Sequence, residues 1–411
     1  MWTIVLLTAS SFVLYVVVLY PLLLVGLARR KRRAVRKEWS PRRISVLIPV
    51  RDGEAWIERK LRSVADSDYP PDLLEIVVVS DGSTDGTDRI AAGFAGIRLI
   101  RIPWSGKAAA LNAGMLAASG EILVFTDARQ LIDRLALRRL IECFADPEVG
   151  VVSGEPSILL GNSHAEADIG LYYRYETRLR TSQGEIDSVP FATGCLYAIR
   201  HELAAPLPSD TILDDVELPI RAFLKGYRCI LEPTARVYDY PTALPAEFRR
   251  KMRTMAGLYQ LVWRHPRLLT PANRMWLHFL SHKLGRLMLP FAMMAIAAAT
   301  VSEIHGWGLW LAGPQVLCYG LALADLAVPQ EWKVKRLTSP LRSFVVLMAA
   351  ALCAVSIVFV PARKFWTHTT RVRAPHGDCR LAPASSDDAH STSTAQRSAP
   401  PPSSPQPPIS S

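Results

Sequence analysis

Three aspartates stand directly after short apolar runs, and they are the side chains best placed to do chemistry. Asp52 follows ISVLIPVR, Asp81 follows IVVVS and Asp127 follows ILVFT. An apolar run without polar alternation, closed by small polar residues, is typical of a buried strand in a parallel sheet. Right-handed crossovers bring the carboxyl ends of such strands to one edge, where ligands bind. The spacing therefore predicts a site for a polar small molecule at that edge.

A tight turn explains part of this pattern equally well. Asp81 and Asp85 lie in SDGSTDGT, and a turn needs Asp and Gly for its own backbone. The recurrence of the pattern at Asp127 favours a site.

Two further polar positions are predicted at helix starts. Lys107 opens the run GKAAALNAG, where free backbone N–H groups and the positive end of the helix dipole suit a diphosphate. On local sequence alone, a solvated lysine is the simpler interpretation. Asp214 and Asp215 precede an apolar helical pattern, and the pair could serve only to cap that helix.

Six motifs resemble those of the family 2 glycosyltransferases, in the same order along the chain. They lie between Ile44 and Gly257 and read IPVRDGE, SDGSTDGT, GKAAALNAG, FTDARQ, TGCLYAIR and LDDVELPIR. The resemblance implies an α/β fold of the GT-A type with a mostly parallel sheet. It also implies transfer of a sugar from a nucleotide-sugar donor with inversion at the anomeric carbon.

The resemblance also implies roles for individual residues. Asp215 matches the catalytic base, and Asp127 matches the ligand of a divalent cation, Mg or Mn. The donor is expected to contact Asp52, Asp81, Lys107, Asp127, Arg250 and Arg253. The acceptor is expected to contact Gly194, Cys195 and Asp214.

One departure from the family pattern concerns the metal. The family often carries a second carboxylate two residues after the first, whereas this chain reads Asp127, Ala128, Arg129. Either Arg129 contacts phosphate in its place, or Asp127, the diphosphate and water hold the ion alone.

A second departure concerns the number of sugars added. Polymer-making members carry Gln, two residues, Arg and Trp, but alignment on Arg253 places Arg250 and Thr254 at the outer positions. Arg249, Arg250 and Arg253 are spaced to share a helical face, which would meet the diphosphate, anionic lipid or only solvent. Loss of the aromatic residue predicts transfer of one or a few sugars to a lipid-linked or glycan acceptor. A processive polysaccharide synthase is the alternative.

The N-terminus predicts a membrane anchor. Ile4 to Leu27 is apolar and is followed by RRKRRAVRK, the pattern of a transmembrane helix with a cytoplasmic flank. The catalytic domain is therefore expected on the cytoplasmic side of a cell membrane, as in a multi-pass protein of a bacterial inner membrane. Candidate later spans are Leu287 to Ser302, Trp307 to Val328 and Phe344 to Val360. The predicted divisions are an N-terminal transmembrane helix (1–28), a basic linker (29–43), a catalytic domain (44–257), interfacial helices (258–286), a C-terminal transmembrane region (287–362) and a disordered tail (374–411).

Composition limits the partners. The net charge of +11 over 411 residues is concentrated beside hydrophobic segments, which indicates membrane lipids as partners. No nucleic acid is expected, since zinc-finger spacing and RNA-binding signatures are missing from the sequence. The six cysteines form no CxxC pair and are typical of buried thiols in a reducing compartment.

A non-catalytic nucleotide-binding scaffold and a transporter are the other classes considered. Few polar residues in the spans argue against transport.

Overall fold

The computed structural model describes residues 1–158, 164–239, 244–303, 305–306, 308–329, 332 and 334–359. The predicted tail, 374–411, lies outside them. The strands of the described part are β1 (Ile44–Val50), β2 (Leu74–Asp81), β3 (Ile97–Ile102), β4 (Ile122–Phe125), β5 (Leu131–Ile132), β6 (Val149–Ile158), β7 (Tyr197–Arg200) and β8 (Arg228–Asp239). The helices are α1 (Trp2–Arg30), α2 (Ile57–Ala65), α3 (Thr87–Ala92), α4 (Lys107–Ala117), α5 (Ala136–Glu142), α6 (His164–Ile186), α7 (Asp214–Leu224), α8 (Leu244–Arg264), α9 (Trp276–Ser302), α10 (Gly308–Ala324) and α11 (Lys335–Ala354).

All eight strands form one sheet in the order β3-β2-β1-β4-β7-β6-β8-β5. β1 pairs in parallel with β2 and with β4, and β2 pairs in parallel with β3. The carboxyl ends of β1, β2 and β4 therefore meet at one edge, as the sequence predicts for Asp52, Asp81 and Asp127. β7 and β5 run antiparallel to their neighbours, so four of the seven pairings are parallel.

Both faces of the sheet are covered, which explains the unbroken apolar runs. Alternate residues of a strand point to opposite faces. Val46 accordingly packs with Leu61 of α2 on one face, whereas Leu47 packs with Leu111 of α4 on the other. The edge of the sheet that carries the three aspartates is therefore packed between helices on both faces.

One predicted helix is shorter than expected. The sequence indicates a helix beginning near His201, but only a single 3-10 turn, His201–Leu203, forms there. Two prolines follow in APLP, and the residue before a proline is disfavoured in the helical region.

Three helices are long and apolar enough to cross a membrane, among the residues described. They are Trp2–Arg30, Trp276–Ser302 and Thr338–Ile357, while Gly308–Ala324 is apolar but shorter, at 17 residues. α9 runs without interruption through the end of the segment predicted to be interfacial and through the first predicted C-terminal span. That span is therefore long enough to cross a membrane.

The apolar helices pack directly against the sheet domain. Leu258 and Leu261 of α8 form one buried cluster with Ile220 of α7 and Phe279 of α9. Arg286 of α9 also contacts Glu176 of α6 at 2.6 Å. Because α7 carries Asp214 and Asp215, this packing fixes the predicted site relative to the long apolar helices.

Candidate active site

Lys107 lies at the centre of the carboxylates that the sequence singles out. It is the first residue of α4, and its Nζ lies 3.0 Å from Asp127 Oδ1 and 2.9 Å from Asp214 Oδ1. Burial alone would lower the pKa of Lys107, but Asp127, then Asp214 and Asp215, raise it well above its usual value. The lysine is therefore a fixed positive charge shared by three carboxylates.

Asp215 faces a position where only glycine fits without displacement. A Cβ on Gly194 would lie 2.9 Å from Asp215 Oδ2, and the backbone N–H of Ala192 donates to the Asp215 carbonyl at 3.0 Å. Burial and the adjacent Asp214 raise the pKa of the Asp215 carboxyl to about 7, although Lys107 and Arg253 oppose the rise. A carboxylate with this pKa can accept a proton at neutral pH.

Asp214 does not serve as a simple helix cap. The start of α7 shows no side-chain capping bond; instead Asp214 binds Lys107, and its Oδ2 accepts from the Tyr197 hydroxyl at 3.3 Å. The Tyr197 ring stacks on Phe125 with centroids 4.7 Å apart. Tyr197 was missed at the sequence level, although it lies inside TGCLYAIR.

Asp81 and Asp52 organise the neighbouring turns. Both oxygens of Asp81 accept backbone N–H bonds, from Ser105 at 2.6 Å and Gly106 at 2.9 Å. Asp81 thus positions the loop from which Lys107 starts α4. Asp52 has a positive φ of 48° and accepts from the Thr84 N–H at 2.8 Å. Both carboxylates therefore hold loops at this edge of the sheet, and their contact with a nucleoside stays a prediction.

Arg129 has a partner that the sequence analysis did not include. Its Nη2 lies 2.8 Å from Asp239 Oδ1, at the end of β8. Asp239 is the last residue of β8, but the residues before it, EPTARVY, are mixed in polarity. The apolar-run signal that marks Asp81 and Asp127 therefore does not extend to it. In this structure the guanidinium binds a carboxylate.

The two arginines predicted to meet the donor lie on α8. Arg253 is close enough to Asp215 to act on its carboxyl charge, whereas Arg250 is exposed. Thr254 is also exposed, and its hydroxyl donates to the Arg250 carbonyl at 3.0 Å. The structure therefore brings Arg253 to the carboxylate cluster.

A half-buried arginine, Arg180, holds the segment around Gly194. Arg180 Nη1 donates to Thr193 Oγ1 at 2.9 Å, and its Nη2 donates to Ser153 Oγ at 3.0 Å. Cys195, in the same segment, has its pKa raised by burial and by Asp127. A protonated thiol is a poor nucleophile, so the structure argues against a nucleophilic role for Cys195, and its contact with an acceptor stays a prediction.

Metal ligands are sparse. The described residues contain no group of three or more His, Cys, Asp or Glu that could hold an ion. The Asp127 side chain is 37% exposed. Its one carboxylate could bind Mg²⁺, which usually takes its remaining ligands from phosphate oxygens and water.

Comparison with known proteins identifies the domain. Residues 45–205 match the family described as Glycosyl transferase family 2. The chain carries a family 2 glycosyltransferase domain. The mannosyltransferase PcManGT from Pyrobaculum calidifontis, solved in complex with GDP-Man and Mn2+, superposes with a TM-score of 0.68 at 26% identity, covering 86% of this chain and 99% of its own. The glycosyltransferase domain therefore has the GT-A fold, as the sequence resemblance implies.

Two curated relatives match a smaller share of the chain. The probable glycosyltransferase YdaM of Bacillus subtilis is 27% identical over 52% of this chain and 55% of its own length. The beta-monoglucosyldiacylglycerol synthase of Synechocystis is 24% identical over 53% of this chain and 48% of its own. The chain thus spans about half the length of these relatives.

Proposed function

We propose that this protein transfers a sugar, with inversion, from a nucleotide-sugar to a lipid-linked or glycan acceptor at a membrane. The observation that carries the proposal is the Asp215 carboxylate, whose pKa is raised by burial and which lies against Gly194. It shares Lys107 with Asp127 and Asp214. This arrangement places a proton acceptor beside a cationic group suited to phosphate.

Asp215 is the proposed general base. An acceptor hydroxyl next to Gly194 would lose its proton to the carboxylate as its oxygen attacks the anomeric carbon. Asp214 keeps the basicity of Asp215 high by its like charge. The bond to the nucleoside diphosphate then breaks, and inversion follows because attack and departure occur on opposite faces.

Lys107 and Arg253 are the proposed cationic partners of the leaving diphosphate. Lys107 is held at the start of α4, where the backbone N–H groups of the helix also favour an anion. Asp127 would hold the divalent cation, Mg or Mn, which when bound would neutralise phosphate charge. The Mn2+ in the PcManGT complex supports a divalent cation.

The donor class is the least defined part of the proposal. The sequence resemblance favours a UDP-sugar, whereas PcManGT was solved with GDP-Man. The name of the Synechocystis relative supports a lipid acceptor. The apolar helices and their packing on the domain support action at a membrane, with the domain on the cytoplasmic side of a bacterial inner membrane.

A donor screen tests the proposal. The full-length protein in nanodiscs is incubated with UDP- and GDP-sugars, Mn²⁺ and membrane lipid extract, and release of nucleoside diphosphate is measured. We expect release with one donor class and loss of release in Asp215→Asn. Binding of a donor without consumption of any donor would favour the scaffold alternative.

Product length separates this function from a processive synthase. Thr254 offers no flat surface for an acceptor sugar, so products of one or a few sugars are expected. A ladder that reaches high polymer after long incubation, without released intermediates, would restore the processive alternative.

A further inference from the structure

A lysine that belongs to none of the predicted roles lies beneath the site. Lys60 of α2 is fully buried, at 0% exposure. Its Nζ donates to Thr126 Oγ1 at 2.6 Å and to the Gln130 carbonyl at 2.7 Å. A buried lysine is costly unless its polar atoms have partners, and both of these partners belong to one short segment.

That segment, Thr126 to Gln130, contains Asp127 and Arg129. Lys60 therefore binds both of its ends and spans the residue proposed to face the donor. Ser63, one turn further along α2, binds Ile132 only weakly, at 3.4 Å. Lys60 thus donates two hydrogen bonds to this part of the chain that are both shorter than the one at Ser63.

Thr126 extends the contact to the acceptor side. Its hydroxyl accepts from Lys60 and donates to the Cys195 carbonyl at 2.8 Å. Cys195 follows Gly194, whose missing Cβ makes room for Asp215. One buried hydroxyl therefore connects the donor segment to the residue that faces the proposed base.

We infer that Lys60 and Thr126 form a buried link that couples the position of the donor segment to that of the acceptor segment around Gly194. Lys60 is a positioning residue, since it acts through Thr126 and Gln130. Occupation of the donor side shifts or orders residues 126–130, and the Thr126 hydroxyl carries this change to Cys195. The inference rests on the proposed function, because it requires a nucleotide-bearing donor.

Two substitutions at one position provide a matched test. Thr126→Val keeps the shape of the side chain but removes the hydroxyl, whereas Thr126→Ser keeps the hydroxyl and loses only a methyl group. Lys60→Met removes the amine from the other end of the link. Ser63→Ala is the control for a general disturbance of α2.

The first readout does not depend on turnover. Hydrogen–deuterium exchange is followed in peptides covering 126–130 and 191–197, with and without UDP or GDP and Mn²⁺. We expect nucleotide to slow exchange in both peptides of the wild-type, Thr126→Ser and Ser63→Ala proteins. In Thr126→Val we expect slowing only in the first peptide.

The second readout is the ratio of sugar transferred to donor hydrolysed. A link between the two sides predicts that Thr126→Val and Lys60→Met each lower this ratio by about tenfold, the effect of a displacement well under 1 Å. The double variant should be no worse than the worse single variant, since both remove the same link. If Lys60→Met fails to fold, the Thr126 pair decides alone.

The outcomes separate the inference from the function on which it rests. Equal slowing of both peptides in Thr126→Val, with nucleotide bound, would overturn the coupling and leave the proposed function intact. Wild-type protein that binds neither nucleotide would overturn both.

Discussion

The close approach of Gly194 to Asp215 gives the sharpest test of the proposed base. In Gly194→Ala the added Cβ would lie 2.9 Å from Asp215 Oδ2 and 3.2 Å from its Cγ. Carbon atoms prefer separations of about 3.5 Å or more. The half-buried carboxylate must therefore retreat by at least about 0.3 Å.

We expect Gly194→Ala to lower kcat. A misplacement of 1 Å can reduce turnover by about a hundredfold, so a retreat of a few tenths of an ångström predicts a loss of about tenfold, or about 1.4 kcal/mol in the activation free energy. The donor KM should change little, because Gly194 is proposed to face the acceptor rather than the donor. The backbone of Gly194 needs no positive φ, so the fold should persist.

The matched control is Gly184→Ala in α6. The nearest atoms to a Cβ there lie 3.7 Å away, an ordinary contact. We expect unchanged kcat and a gain in stability of about 0.5–1 kcal/mol from replacing a helical glycine. Both variants are assayed for kcat, donor KM and thermal unfolding. Wild-type kcat in a folded Gly194→Ala protein would refute the placement of the base.

Four further predictions concern the same site and its membrane side. Asp215→Asn should bind donor but transfer sugar at least about a hundredfold more slowly, and near-normal turnover would remove Asp215 from the role of base. Since the base must be deprotonated and its pKa is raised to about 7, wild-type kcat should rise with pH through about 7; a flat profile from pH 5.5 to 8.5, with chemistry rate-limiting, would contradict this assignment. Asp127→Ala should abolish Mg²⁺ or Mn²⁺ dependence together with most activity, and full wild-type activity in excess chelator would show that the site works without an ion. A cysteine introduced at Leu116, which is 91% exposed, should react with an impermeant maleimide only after the cells are opened; labelling in intact cells would place the domain outside.

The starts and ends of the elements that carry the site could be read from the sequence. α4 begins at Lys107 as predicted, and β1, β2 and β4 occupy the apolar runs at Asp52, Asp81 and Asp127. These positions depend on local causes, namely apolar runs closed by glycine or small polar residues. The same local pattern predicted that Asp52, Asp81 and Asp127 lie at one edge, because the carboxyl ends of parallel strands meet there.

The partners of the side chains required the tertiary structure. From the sequence, Asp214 and Asp215 could serve only to cap a helix. In the structure, Asp214 binds Lys107 and Asp215 faces Gly194. Phosphate contact was one of two alternatives for Arg129, and in this structure the residue binds Asp239, more than a hundred residues away. The local sequence around a residue does not indicate which distant residue it will contact.

Lys60 shows the physical reason most clearly. Its sequence context, IERKLRSV, is that of a solvated lysine on an amphipathic helix, but the residue is fully buried and binds Thr126 and Gln130. Which face of α2 turns toward the sheet depends on the summed packing of Ile57, Leu61 and Val64, and the end of β4 lies beneath that face. Local sequence determines where a helix forms, whereas the packing of whole elements determines which polar atoms meet in the space between them.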